Sequence, residues 1–197
     1  MKIHLTLGAL AVAATGFTVT PAAAANTCIV AGDPFDLDDA GVHALYDCIK
    51  DEMAAGYAKE GHEVGSVFRD WAPTATRPAL PGIHGERFLN TFVNDIGAEE
   101  YLKFATEGVH MPAGSVIAKE SIQIGKGGKA SVGPLFIMTK LDAGGAPEFG
   151  DWLYAGVQPN GKVMNVSQQF CHDCHVAYED QDALGYPLEE VRIGAPG

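Results

Sequence analysis

Near its C-terminus the chain has two cysteines separated by two residues, followed directly by a histidine, at Cys171, Cys174 and His175. Thiols at this spacing form thioether bonds with the two vinyl groups of one haem, and the adjoining histidine then lies under the iron as an axial ligand. A haem held in this way supplies much of a small core, so the chain must fold around it. The motif therefore predicts one covalent haem c with His175 as an iron ligand.

Three other uses of a Cys-x-x-Cys pair were compared with haem attachment. A zinc site would need two further ligands. A thioredoxin-like redox pair would stand early in the fold, after a strand and at the start of a helix. A disulfide between cysteines this close in sequence would need special geometry. The position of the motif, after the predicted sheet and near the end of the chain, favours haem.

Residues 1–25 have the pattern of a secretory signal peptide. Lys2 precedes an apolar stretch over residues 5–19, and small residues at 22–25 provide a cleavage site before Asn26. The apolar stretch is too short and too rich in alanine for a membrane anchor. We therefore expect export to the periplasm, with residues 26–197 forming a single haem-binding domain.

The chain is acidic, with a formal net charge of −12 that becomes −13 when Lys2 is removed with the leader. This balance argues against nucleic acid and against an anionic membrane surface as partners. It suits a soluble protein and would steer a basic redox partner. Cys28 and Cys48 form a second pair, which we expect to be a disulfide in an oxidising compartment.

Hydrophobic periodicity predicts an α+β fold, mainly an antiparallel β-sheet in meander order with flanking helices. Apolar residues recur at helical spacing over residues 36–60, with Asp36 as the expected N-cap and Gly61 after the last turn. Residues 69–85 read as a loop and 98–106 as a short helix. Strands are predicted at 88–94, 115–124, 134–141 and 151–158, and a type I′ turn at 159–162 leads to a further strand at 163–167.

The motif provides one axial ligand, and the sequence does not single out a second. Buried methionines usually serve packing, and we expect this of Met53 and Met138. His62 and His84 lie in glycine-containing segments and are expected to be solvated. The full set of candidate sixth ligands is Met53, Met111, Met138, Met164, His43, His62, His84 and His110.

Several segments resemble the cytochrome P-460 family and its relative, the beta form of cytochrome c-prime, over about residues 45–180. They occur in the same order as in the family, at residues 68–71 (FRDW), 92–94 (FVN), 112–120 (PAGSVIAKE), 150–155 (GDWLYA) and 171–175 (CHDCH). The chain departs from the family in its N-terminal cysteines and near Leu89, where an arginine is expected.

The resemblance implies a β-rich homodimer with His175 as the proximal ligand and an open distal side that binds small nitrogen oxides. It also implies a role for Lys119, because hydroxylamine-oxidising members join a lysine at this position covalently to the haem edge. From the strand pattern alone, Lys119 is better explained as a solvated or edge-protecting residue.

Two functions follow from these expectations. One is an oxidoreductase that oxidises hydroxylamine or processes nitric oxide, with Glu120, Glu148 or Asp151 as the distal acid. The other is a non-enzymatic cytochrome that binds nitric oxide or carbon monoxide or carries electrons.

Overall fold

The computed structural model describes residues 27–194, so the predicted leader peptide at residues 1–25 lies outside the described range. Within that range, no helix combines the length and the apolar character needed to cross a membrane.

An antiparallel sheet of six strands forms the centre of the protein. The strands are β1 (Ala72–Pro73), β2 (Phe88–Val93), β3 (Val116–Ile124), β4 (Ala130–Val132), β5 (Leu135–Lys140) and β6 (Trp152–Val157). They lie in the order β1-β2-β3-β5-β6, with β4 paired to the far end of β3. The predicted α+β class and antiparallel meander are confirmed, while the short strands β1, in the segment predicted as a loop, and β4 were not predicted.

Among residues 27–194, three α-helices flank the sheet: α1 (Asp39–Ala58), α2 (Asp95–Tyr101) and α3 (Gln168–His175). Helix α1 starts later than the predicted residue 36, because Asp38 caps it and accepts a hydrogen bond of 2.8 Å from the Gly41 amide. Helix α2 starts before the predicted residue 98, because the Asn94 side chain caps the Gly97 amide at 3.2 Å. In both cases the capping residue fixes the boundary that periodicity leaves open.

The predicted hairpin after β6 is wrong in two respects. Residues 163–167 form only an isolated bridge, between Val157 and Val163. Within 159–162 only Gly161 has a positive φ, of 86°, whereas a type I′ turn needs positive φ at both central residues. The chain leaves the sheet here to begin α3.

The two faces of the sheet have different partners. Helix α1 packs its buried residues, Met53 and Tyr57 among them, against the face that carries Ala118 and Ile122. The opposite face carries Ile117, Met138 and Tyr154, and it packs against the C-terminal segment. We call this second side of the sheet the C-terminal face.

The N-terminal arm is fastened to α1 and to the turn before β4. The predicted disulfide between Cys28 and Cys48 is present. The Val30 amide donates to the Gly128 carbonyl at 2.8 Å, and the Ala130 amide donates to the Cys28 carbonyl at 2.9 Å.

Candidate haem site

Helix α3 presents the Cys-x-x-Cys-His motif to the C-terminal face. The Ser167 hydroxyl caps it by accepting a hydrogen bond of 3.2 Å from the Phe170 amide. Cys171, Cys174 and His175 then fall at spacings of three and four residues, which places them on one side of the helix. Cys171 is half-buried, Cys174 is exposed, and the two are not joined by a disulfide.

The environment of Cys171 does not favour a redox-active thiol. Burial, followed by the neighbouring Cys174, raises the pKa of Cys171, whereas thioredoxin-like cysteines have lowered pKa values. Among residues 27–194, no group of three or more His, Cys, Asp or Glu side chains is arranged to hold a metal ion. The zinc alternative therefore lacks its additional ligands in the described part of the chain.

The imidazole of His175 is oriented for metal ligation. Its Nδ1 lies 2.8 Å from the Ala183 carbonyl, and because a carbonyl only accepts, this nitrogen carries the proton. Nε2 is then the basic nitrogen, as in metal-ligating histidines whose second nitrogen is held by a carbonyl. Burial lowers the pKa of His175, outweighing the bond to Ala183 that raises it.

Asp182 anchors the segment that orients His175. Asp182 and Ala183 have positive φ values of 56° and 61°, a conformation that non-glycine residues adopt only when it is held by contacts. The Asp182 carboxylate accepts hydrogen bonds from Lys140 Nζ at 2.6 Å, the Met111 amide at 2.8 Å and Trp152 Nε1 at 3.3 Å. We call these contacts the Asp182 anchor.

Lys119 lies on the same face of the sheet, in the middle of β3. Its neighbours across the ladder are Thr91 in β2 and Phe136 in β5. The side chain is only 8% exposed, and Nζ donates to the Gly185 carbonyl at 3.3 Å. Burial lowers the pKa of Lys119 to about 8, so a sizeable fraction of the amine is neutral near physiological pH.

A small cavity of about 20 Å³ adjoins Lys119 and is lined by Leu89, Thr91 and Tyr186, among others. Leu89 lies in the region where the resemblance leads us to expect an arginine. The site next to the amine is therefore largely apolar.

Among the candidate sixth ligands in the described part of the chain, only His84 has a ring close to that of His175. The centres of the two rings are 6.3 Å apart. His84 packs edge-on against Phe136 at 4.6 Å and is half-buried, which corrects the expectation of a solvated residue. Burial, followed by the nearby charges of Lys119 and the ring of His175, lowers the pKa of His84 to about 3.

Two of the other candidates, Met111 and Met138, share the C-terminal face with the haem motif. Met53 is buried under the opposite face of the sheet, and His43 and His110 are exposed. His62 uses Nδ1 to accept hydrogen bonds from the Val64 and Gly65 amides at 3.2 and 3.3 Å. Met111 and Met138 are packed in the core of the C-terminal face, and Met164 is half-buried after β6.

The structure separates the three acids considered as proton acceptors. Glu120 alternates with Lys119 and points to the opposite face, where it accepts from Tyr46 at 2.5 Å, Arg69 at 2.5 Å and Asn90 at 3.1 Å. Asp151 stabilises its own loop by accepting hydrogen bonds from the Gly144 and Ala146 amides. Glu148 lines a cavity of about 220 Å³ together with His172.

The residues brought together fit a covalent haem. Two free thiols and a neutral, oriented imidazole share one side of α3, next to an apolar face of the sheet. Sequence reasoning missed the contributions of Asp182, Ala183 and Gly185, because backbone carbonyls and a loop carboxylate have no distinctive local pattern.

One of two comparisons with known proteins supports a haem cofactor. A comparison with curated proteins gives no match. The family model described as Cytochrome P460 matches residues 65–184, which include β1, the other five strands and α3 with its haem motif. Because this match covers more than half of the chain, the protein belongs to the cytochrome P460 family.

Proposed function

We propose that this chain is an exported, single-haem c-type cytochrome that acts on small nitrogen oxides, either oxidising hydroxylamine or processing nitric oxide. The observation that carries the proposal is a shared backbone anchor. The carbonyl of Ala183 accepts from His175 and that of Gly185 accepts from Lys119. Through these two hydrogen bonds, the short segment 183–185 holds both the proposed iron ligand, His175, and the buried amine of Lys119.

In this function, the haem would supply an iron that binds the nitrogen atom of the substrate and accepts electrons from it. Cys171 and Cys174 would hold the haem through thioethers, and His175 would bind the iron through Nε2. Ala183 holds the proton of His175 at Nδ1, which keeps Nε2 basic. Apolar residues around Lys119 keep bulk water from its amine.

Lys119 is the proposed site of a covalent bond to the haem edge, in which a new N–C bond would replace one N–H bond and one ring C–H bond, and the two electrons released would pass to an external oxidant such as a peroxide. Its amine is buried, and the lowered pKa leaves part of it unprotonated and nucleophilic. The alternative function, a non-enzymatic cytochrome that binds gases or carries electrons, is favoured by the hydrogen bond between Lys119 and Gly185, because that bond gives the amine a non-covalent partner.

The first experiment tests the covalent haem. Acidified and denatured holoprotein should keep its colour, because thioether bonds survive where axial bonds do not. Cys171→Ala together with Cys174→Ala should give protein from which haem is extracted freely. Free extraction of haem from the wild type would contradict the assignment.

A second experiment separates the two functions. In a cross-linked protein, proteolysis should yield a haem peptide that carries both residues 171–175 and Lys119. Lys119→Leu should then restore an ordinary haem c spectrum and abolish hydroxylamine oxidation. The matched control is Lys126→Leu, an exposed lysine just after the same strand. A free Lys119 peptide and an ordinary wild-type spectrum would favour the non-enzymatic alternative.

Export and assembly belong to the same proposal. The mature protein should begin at Asn26 and be recovered from the periplasm, which N-terminal sequencing and fractionation would check. We propose a homodimer, to be measured by sedimentation, and a basic protein as redox partner.

A further inference from the structure

We propose that His84 is the second axial ligand of the haem iron in the resting protein, and that small ligands reach the iron by displacing it. This inference rests on the covalent haem and the His175 ligation proposed above. It replaces the open distal side expected from the sequence with one that His84 closes reversibly.

The separation of the two imidazoles carries the proposal. Their ring centres are 6.3 Å apart. A histidine nitrogen binds a transition metal at about 2 Å and the ring centre lies roughly 1 Å further out, so two imidazoles on opposite sides of one metal have centres about 6 Å apart. Ordinary edge-to-face ring pairs also have centres about 4.5–7 Å apart, so the separation is compatible with a metal between the two imidazoles and does not by itself require one.

The relative orientation of the rings is also compatible. Each ring plane contains its own metal–nitrogen bond, so the two planes can make any angle about the common axis. The observed angle between the ring planes is 83°. The two imidazoles are therefore crossed, which keeps their ring edges clear of each other across the space between them.

Lys119 lies near both rings. Its charge contributes to the lowered pKa of both His84 and His175. Its amine donates a hydrogen bond to the Gly185 carbonyl rather than to either imidazole. A flat group placed between the two rings would therefore have this amine nearby. This proximity is compatible with the edge position that the proposed function gives to Lys119.

The backbone around His84 is built in an uncommon conformation. Positive φ values occur at Gly82, His84, Gly85 and Glu86, and those of the non-glycine residues are 54° and 55°. Left-handed backbone costs a residue other than glycine about 1–2 kcal/mol. Such strain persists where surrounding contacts enforce it, and it concentrates at ligand clamps and switch regions.

Two contacts enforce this conformation. The Arg87 guanidinium donates to the His84 carbonyl, and Phe136 packs against the His84 ring. The neighbours Gly82, Ile83, Gly85 and Glu86 are exposed, so the loop is free to swing outwards without disturbing the core. His84 is thus held in position by few contacts, as a displaceable ligand requires.

The test uses ferric and ferrous holoprotein. The wild type should be low-spin in the optical spectra of both oxidation states and in the electron paramagnetic resonance spectrum of the ferric state. His84→Ala should become high-spin, and added imidazole should restore the low-spin spectrum. The matched control is His62→Ala. This change removes a half-buried histidine whose Nδ1 accepts a hydrogen bond from the Val64 amide, and the spectrum of the variant should remain low-spin.

Ligand binding provides an independent readout. If the state with His84 displaced is populated at about 0.1–10%, removing the competitor should tighten nitric oxide or carbon monoxide binding by about 10- to 1,000-fold. In the wild type the binding rate should level off at high carbon monoxide, because His84 dissociation becomes limiting. In His84→Ala the rate should rise linearly with concentration.

The outcomes separate this inference from the proposed function. Covalent haem with a high-spin wild-type spectrum would overturn the role of His84 and leave the proposed function standing. A low-spin spectrum that persists in His84→Ala would likewise assign the sixth ligand elsewhere. Protein without covalent haem would refute both proposals.

Discussion

At the scale of single residues, Lys119 combines a charged group with an apolar site. Burial lowers its pKa to about 8, compared with about 10.4 for an unperturbed lysine. Between these values the unfolded chain binds more protons than the folded protein, so folding stability rises with pH through this window. Below pH 8 the burial penalty, about 3 kcal/mol, is fully present.

A free Lys119 should therefore make the wild type less stable than Lys119→Met at pH 7, and the difference should shrink as the pH rises towards 10. Denaturant unfolding of both holoproteins at the two pH values measures this. An amine bonded to the haem edge has no basicity in this range, so a difference that does not change with pH would indicate the cross-link. Lys126→Met, at an exposed position, provides the baseline.

The sequence identified most of the residues at the candidate site but not how they are arranged. Cys171, Cys174 and His175 follow from their spacing alone, and Lys119 was placed in the correct strand. Strand alternation separates Lys119 from Glu120, but only the packing of α1 shows which of the two faces the haem motif. His84 could not be singled out, because its proximity to His175 comes from a loop with no periodic pattern.

At the scale of elements, the N-terminal arm depends on its disulfide. Cys28 and Cys48 are 20 residues apart, and closing a loop of this length stabilises the folded state by about 3 kcal/mol in the chain-entropy model. Cys28→Ser with Cys48→Ser should lower the free energy of unfolding by about that amount. The haem spectrum should stay unchanged, because the arm packs on the side of α1.

Guanidinium unfolding followed by circular dichroism measures this loss, and reduction of the wild type should reproduce it. A change in the haem spectrum of the double variant would show that the arm reaches the haem site, contrary to this expectation.

The segment after α3 orients His175 through the Asp182 anchor. Asp182→Ala removes three hydrogen bonds that fix the carbonyl of Ala183. A weaker bond from His175 to that carbonyl makes the imidazole a poorer electron donor, which disfavours ferric iron. The reduction potential should therefore rise, as measured by spectroelectrochemistry.

Asp180→Ala is the control, since it removes an exposed carboxylate from the same segment. An equal rise in the two variants would point to lost charge rather than to the orientation of His175.

Element boundaries show where sequence reasoning ended. The predicted strands and the long helix were found because apolar periodicity extends over many residues. The observed helix starts differ from the predicted ones, because the choice among neighbouring Asp and Asn caps depends on which backbone amides each side chain reaches. The partner strand at 163–167 was reduced to one bridge because the chain turns away to reach the Ser167 cap.

At the scale of the whole molecule, the acidic balance determines how partners approach. The chain carries a net charge of −12, and Asp173, Glu179 and Asp180 are exposed beside the haem motif. Attraction over distances beyond the Debye length is screened by salt. Electron transfer with a cationic protein should therefore slow by about tenfold or more between low and high ionic strength.

Stopped-flow oxidation of the reduced protein by a basic cytochrome measures this effect, and an uncharged small-molecule oxidant is the control. Equal salt dependence for both oxidants would exclude electrostatic steering.

The two cysteine pairs also lie at opposite ends of the chain. Four cysteines allow three different pairings, yet synthesis delivers them in a fixed order, and the N-terminal part of a chain emerges and begins to fold first. Cys28 and Cys48 have time to find each other while Cys171 and Cys174 have not yet appeared. When the late pair arrives, no earlier thiol remains to capture it, and both sulfurs are left for the proposed attachment of the haem.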